Sequence, residues 1–198
     1  MLTVIVLAAG MSRRMGNVNK LLLPFRGSTI LESTLRQIPA SEAGDMVIVL
    51  GHEATQISPL LAPYPVRTVF NPDYEAGMTT SIQAGVKAAR VDTEGFMICL
   101  SDMPLIESAT YRNLIEVFYE KKETDEYTII QPVYENTPGN PVVFSAAYKN
   151  SILALDFKEG CKPLVQKNRQ HVYRVEVHTD AIFRDADTEA AYKKLLSG

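Results

Sequence analysis

The sequence predicts a single α/β domain, residues 1–198, built on a largely parallel sheet. Three observations carry that expectation. Short, continuous apolar runs recur along the chain, at 3–7, 46–50, 66–70, 96–100, 128–131 and 141–144. Runs of this length without alternation are what strands covered on both faces look like. Helical stretches separate the first four runs, and alternation of strand and helix favours parallel pairing with right-handed crossovers. Finally, 198 residues with 46% hydrophobic and 22% charged side chains suit one packed core and exclude a disordered or fibrous chain.

Each element follows from local pattern. The stretch 29–38 carries Ile30, Leu31, Leu35 and Ile38 on one helical face, 53–61 is a short helix, and 80–89 places Ile82 and Val86 four apart. Residues 108–119 form a helix with Leu114, Ile115 and Phe118 on one side. After residue 131 the pattern changes. Two strand-like runs flank the turn-rich segment 134–140, which suggests a hairpin or antiparallel insertion. Helical stretches at 146–155 and 161–167, a strand at 171–177 and a closing helix at 188–196 complete the chain, with Asp187 as a candidate N-cap.

Composition narrows the function. A net charge of −3 offers no general basis for holding a nucleic-acid backbone. Two cysteines, Cys99 and Cys161, with no CxxC spacing, indicate neither a zinc site nor a disulfide framework. The apolar N-terminus precedes Arg13 and Arg14 instead of following basic residues, the wrong order for a signal peptide, and it is too short to span a bilayer. A cytoplasmic protein acting on small molecules, with no nucleic-acid or membrane partner, is expected.

The most informative segment is Leu7-Ala8-Ala9-Gly10-Met11-Ser12-Arg13-Arg14-Met15-Gly16, followed by Lys20. A buried strand running into small residues lets backbone N–H groups approach a ligand at the carboxyl edge of the sheet, where open α/β sheets bind. Arginine and lysine beside such a cradle neutralise phosphate. The dinucleotide fingerprint and the P-loop both fail on spacing, because the glycines are Gly10 and Gly16 and Asn17 follows the second. A tight βα turn with solvated arginines would use the same residue types.

This segment, with Lys20 and Leu22-Leu23-Pro24, resembles the signature of the MobA-like nucleotidyltransferases, and among them the molybdenum cofactor cytidylyltransferases. The resemblance continues through Asn71-Pro72-Asp73-Tyr74-Glu75-Ala76-Gly77-Met78 with Ser81, Leu100-Ser101-Asp102-Met103-Pro104, Gly139-Asn140-Pro141-Val142 and Asp185-Ala186-Asp187-Thr188. It implies a three-layer α/β/α Rossmann-like fold, a mostly parallel sheet with one antiparallel strand, and Mg²⁺-dependent nucleotidyl transfer with release of pyrophosphate. Two departures stand out. Asn17, Val18 and Asn19 separate the second glycine from the lysine, where the family usually has two residues. The family's Gly-Asp-x-Gly-Ala-Arg is replaced by Phe157-Lys158-Glu159-Gly160-Cys161-Lys162, a segment that shapes the acceptor side.

The site residues follow. Leu7, Ala8, Ala9, Gly10, Asn71 and Ser81 are expected at the nucleotide, with Arg14 and Lys20 on its triphosphate. Ser81 would serve equally to satisfy a helix terminus. Asp102 stands at the carboxyl end of a buried strand, where a carboxylate can hold Mg²⁺ against a triphosphate, although an Asp before a proline also suits an N-cap. Asp185 and Asp187 point the same way if extended and are placed near the metal by the resemblance, and Asn140 faces the acceptor. His52 is a candidate for the edge of the base pocket or an exposed loop, while His171 and His178 are expected to be structural or solvated.

The resemblance thus implies transfer of CMP from CTP to molybdopterin or the molybdenum cofactor, a pterin phosphate, with a molybdenum hydroxylase as recipient of the product. The alternatives are GTP as donor, a sugar or alditol phosphate as acceptor, and a non-catalytic cofactor-insertion protein of the same fold. CTP is favoured because the related guanylyltransferases read Leu-Ala-Gly-Gly where this chain has Leu7-Ala8-Ala9-Gly10, and the Ala9 methyl narrows the wall beside the nucleoside.

Overall fold

The computed structural model describes residues 1–16, 18–156 and 160–197. Its backbone is a sheet in the order β10-β7-β9-β6-β1-β4-β5. The central strands are β1 (Leu2–Ala8), β4 (Gly44–Leu50) and β6 (Gly95–Leu100), with β5 (Arg67–Phe70) at one edge. Toward the other edge lie β9 (Val142–Ser145), β7 (Ile129–Tyr134) and β10 (Val172–Glu176). β1 is parallel to β4 and β6, β5 to β4, and β10 to β7, whereas β9 runs antiparallel to both β6 and β7. The two-residue β8 (Thr137–Pro138) folds back antiparallel on β7, so the segment 134–140 is the hairpin its turn residues predict. A separate small hairpin pairs β2 (Pro24–Phe25) with β3 (Ser28–Thr29).

Helices cover both faces. The even residues of β1, Leu2 to Ala8, pack with α1 (Ile30–Gln37), α3 (Ala54–Leu61) and α5 (Ser108–Lys122). The opposite face, with Ile5, Val49, Ile98 and Phe144, packs with α4 (Met78–Ala88), α6 (Lys149–Leu153) and α7 (Lys162–Lys167). A short α2 (Ala40–Ala43) leads into β4, and α8 (Glu189–Leu196) closes the chain, its Leu195 joining a small cluster with Phe25 and Ile30. This is the three-layer α/β/α architecture. Strands β1, β4 and β6 read as unbroken apolar runs because both faces are buried.

Two expectations change. β5 is an edge strand with Arg67, Thr68 and Phe70 exposed, because nothing pairs beyond it, so its apolar run does not mark burial. The N-cap of α8 is Thr188, whose hydroxyl accepts from the Ala191 N–H at 3.1 Å, while the Asp187 side chain turns away toward Lys20 and Arg14. By contrast, Thr29 and Glu32 form a reciprocal capping box on α1, a pairing written in adjacent sequence.

The order of strands positions the site. From β1 the chain crosses toward β4, while from β6 it leaves toward β9 and β7. The connections therefore diverge between the carboxyl ends of β1 and β6, opening a crevice at a topological switch point.

Candidate functional site

A cleft of about 400 Å³ occupies that crevice. Leu7, Ala9 and Gly10 bring the end of β1 into it, Leu100 and Asp102 the end of β6, and Ser81 the first turns of α4. The Ser101 hydroxyl donates to the Leu7 carbonyl at 2.6 Å, tying the two strand ends together. Ala8 points to the opposite face and is fully buried in the core, as strand alternation requires. Asn71 also lies behind the cleft. Its amide nitrogen donates to the hydroxyls of Thr80 and Ser81, each at 3.0 Å, and its carbonyl oxygen accepts from the Asp73 N–H. It orients the start of α4 instead of lining the crevice. Gly77, with φ 124°, precedes that helix in a conformation that favours glycine.

Asp102, Asp185 and Asp187 converge at the mouth of the cleft, with one carboxylate oxygen of each within 4.8 Å of the others. Backbone bonds fix the convergence: the Ala186 N–H donates to the Asp102 carbonyl at 3.2 Å, and the Asp187 N–H to Asp185 Oδ1 at 3.1 Å. Asp102 is buried at 4% exposure and does not cap a helix, since α5 begins only at Ser108 after Glu107. Hard oxygen donors at this spacing suit a divalent cation of the Mg²⁺ type.

Two cations answer the three carboxylates. Lys20 Nζ bridges Asp102 and Asp187, and Arg14 pairs with Asp187. The extra residue before Lys20 does not remove it from the site: Lys20 lines the cleft, and its N–H donates to Ser12 Oγ at 3.2 Å. Burial opposes the charge on Lys20, but Asp102 and Asp187 outweigh it and raise the ammonium above its ordinary pKa of 10.5. Burial pushes the Asp185 carboxyl up from 3.8; the Asp187 N–H opposes that rise, while neighbouring Asp187 and Asp102 add to it.

The other sequence candidates divide. Asn140 lies in a second, adjoining cleft of about 780 Å³, where its N–H donates to the Ile182 carbonyl at 3.1 Å. Gly139 is required beside it, since a Cβ there would meet Ile182 at 2.7 Å. His52 falls outside both clefts, in a separate depression beside Arg13 and Asn19. His171 is structural, with Nδ1 2.9 Å from Asp125 Oδ2, and His178 is exposed. Residues 157–159 of the divergent acceptor-side segment lie outside the described residues. Tyr74, Glu75 and Met78 line the first cleft without having been singled out, although they sit inside the 71–78 motif. Lys162, Arg169 and Arg174 line the second, and no spacing in the sequence marks them.

The three-layer fold with a crevice at its switch point is that of a ligand-binding α/β protein. Residues 4–172 match the MobA-like NTP transferase domain, and the chain belongs to that family and is a nucleotidyltransferase. It is 27% identical to the molybdenum cofactor cytidylyltransferase of Escherichia coli (strain K12), over 93% of this chain and 90% of that protein. It is 26% identical to the nicotine blue oxidoreductase of Paenarthrobacter nicotinovorans, over 98% of this chain and 96% of that one. The crystal structure of Rv0371c from Mycobacterium tuberculosis H37Rv in complex with manganese superposes with a TM-score of 0.82 at 27% identity, covering 100% of this chain and 98% of that chain. No helix among the described residues is long and apolar enough to cross a membrane.

Proposed function

We propose that residues 1–198 act as one nucleotidyltransferase domain that transfers CMP from CTP to a phosphorylated acceptor, the pterin phosphate of the molybdenum cofactor, and releases pyrophosphate. The observation that carries the reading is the convergence of Asp102, Asp185 and Asp187, within 4.8 Å, beside the small-residue end of β1. The relative named as a molybdenum cofactor cytidylyltransferase supports the choice of donor and acceptor. The relative named as an oxidoreductase matches at nearly the same identity, so overall identity does not select the reaction.

In this reading Asp102, Asp185 and Asp187 hold Mg²⁺. The ion supplies charge neutralisation for the α-phosphate and the departing pyrophosphate. Leu7, Ala9 and Gly10 present backbone to the nucleotide, and Ser81, oriented by Asn71, presents its hydroxyl. Lys20 and Arg14, which pair with the carboxylates here, turn their charge to the triphosphate. An acceptor phosphate oxygen forms the new bond to the α-phosphorus, and the bond from that phosphorus to the bridging oxygen breaks, its electrons leaving with pyrophosphate. No protein nucleophile takes part. Positioning and charge complementarity supply the catalysis. The proposed location is the cytoplasm, where nucleoside triphosphates are made, with a molybdenum hydroxylase receiving the product.

The test is pyrophosphate release by the purified chain with Mg²⁺, each of CTP and GTP, and molybdopterin, molybdenum cofactor, sugar phosphates and alditol phosphates as acceptors. CTP with a pterin phosphate is expected to turn over fastest. Faster turnover with GTP, or with a sugar or alditol phosphate, would overturn the corresponding assignment.

A further inference from the structure

The second cleft differs in chemistry from the first. Its floor is one face of four neighbouring strands, as the register shows: Ile98 of β6 faces Val142 of β9, Phe144 of β9 faces Ile129 of β7, and Val172 of β10 faces Ile129. Ile98, Val142, Phe144 and Val172 all line the cleft, giving it an apolar base. Leu100 and Met78 line both clefts, so the two adjoin.

Three cations line this cleft. Gln131 faces Arg174 across the β7–β10 pairing, Lys162 comes from the start of α7, and Arg169 from the 3₁₀ turn Arg169–His171 before β10. All three cations are exposed, and among the described residues none forms an ion pair and no carboxylate lines this cleft. Elsewhere, arginines are commonly spent on carboxylates, as in Arg67–Asp45 and Arg112–Glu42. The carboxylates that line the adjoining clefts stand in the first cleft. From β6 to β10 there are three strand spacings, about 14 Å across the sheet.

We propose that Arg169 and Arg174 at β10, with Lys162 from α7, form an anion subsite in the second cleft for an elongated acceptor with a planar or apolar body, engaging an anionic group other than the one that reacts. The identity of the reacting group, a phosphate presented to the first cleft, rests on the nucleotidyl-transfer reading. The anion subsite itself does not. The apolar floor accepts the body of the ligand, and Gln131 and Asn140 add hydrogen bonds along it. Guanidinium groups suit a planar or tetrahedral anion by paired donors, and an edge strand leaves Arg174 free to reach it.

The experiment uses the full chain and two probes of one shape, 1-naphthyl phosphate and neutral 1-naphthol, with binding followed by fluorescence. The native protein is expected to bind the phosphate at least about 10-fold more tightly than the alcohol. A combined Lys162→Met, Arg169→Gln, Arg174→Gln variant should lose that preference while keeping its affinity for 1-naphthol and for CTP with Mg²⁺. The three side chains are exposed, and an unchanged melting temperature verifies the fold. Retained preference in the variant, or none in the native protein, overturns the proposal. Failure of every acceptor to release pyrophosphate removes the transfer reading and leaves the binding result standing.

Discussion

The two clefts share one face of one sheet yet are built oppositely. The first sits between β1 and β6, the most enclosed strands, and its carboxylates are locked by backbone bonds and by Lys20 and Arg14. The second is framed by a hairpin, a short helix and the edge strand β10, and its cations are exposed and form no ion pair among the described residues. In the proposed reading a common reacting group is handled at the central switch point, where sheet order leaves little freedom. The same reading has the second substrate recognised at the edge, where side chains change without disturbing the core. That reading separates chemistry from specificity by architecture.

Substitutions should respect that separation. The largest effect is expected for Asp102→Asn, which removes a metal ligand: pyrophosphate release should fall by about 10²–10³, while binding of 1-naphthyl phosphate in the second cleft stays at the native level. Normal turnover in the folded variant would break the assignment of the first cleft. Next comes the donor base. Ala9 is 3% exposed and sits on the cleft wall, so the native protein should favour CTP over GTP in kcat/KM by about 10- to 200-fold. Ala9→Gly should shrink that ratio without inverting it; an unchanged ratio would show that the base is selected elsewhere.

A smaller contrast lies within the loop. Arg14 pairs with Asp187, whereas Arg13 meets the Met11 sulfur at 3.6 Å. Titration with CTP and Mg²⁺ should show affinity about 10-fold weaker for Arg14→Ala and within about 2-fold of native for Arg13→Ala. Equal losses would mean that both arginines reach the triphosphate. The smallest effect concerns a cluster beside β10 whose residues line neither cleft. Burial works to raise the Asp125 carboxyl, but His171, the Tyr127 N–H and the Tyr173 hydroxyl outweigh it and hold it below 3.8. A carboxylate lowered on folding stabilises the fold above its ordinary pKa, and that contribution is lost as pH falls through the lowered one. Melting temperature should therefore decline below about pH 3.8, and Asp125→Asn should flatten that part of the acid limb. An identical acid limb in the variant would show that other groups set it.

Much of this was legible in the chain. The strand runs at 3–7, 46–50 and 96–100 lie within β1, β4 and β6, because buried strands must be apolar on both faces. The small-residue motif after β1 and the acidic residue after β6 sit where a ligand crevice would need them. Less legible was which motif residue faces the crevice. Ala8 and Asn71 share motifs with Ala9 and Ser81, yet pleat and side-chain hydrogen bonding place them behind the wall. The exposure of β5 was hidden because an apolar run does not reveal whether another strand lies beyond it.

By itself, then, the sequence determined what is local: which segments are strands, where Thr29 and Glu32 start a helix, and which short motifs carry small or acidic residues. Such features depend on neighbours a few bonds away, and their spacing records them. Only the tertiary structure decided that Asp102 meets Asp185 and Asp187, that Lys20 bridges two of them, and that Lys162, Arg169 and Arg174 line one cleft. Those meetings depend on strand order and on the insertion of antiparallel β9 between β6 and β7, through which residues far apart in the chain come to line the same face. No period in a linear chain encodes that adjacency, because it is set by which strands pair, and pairing is a property of the assembled sheet.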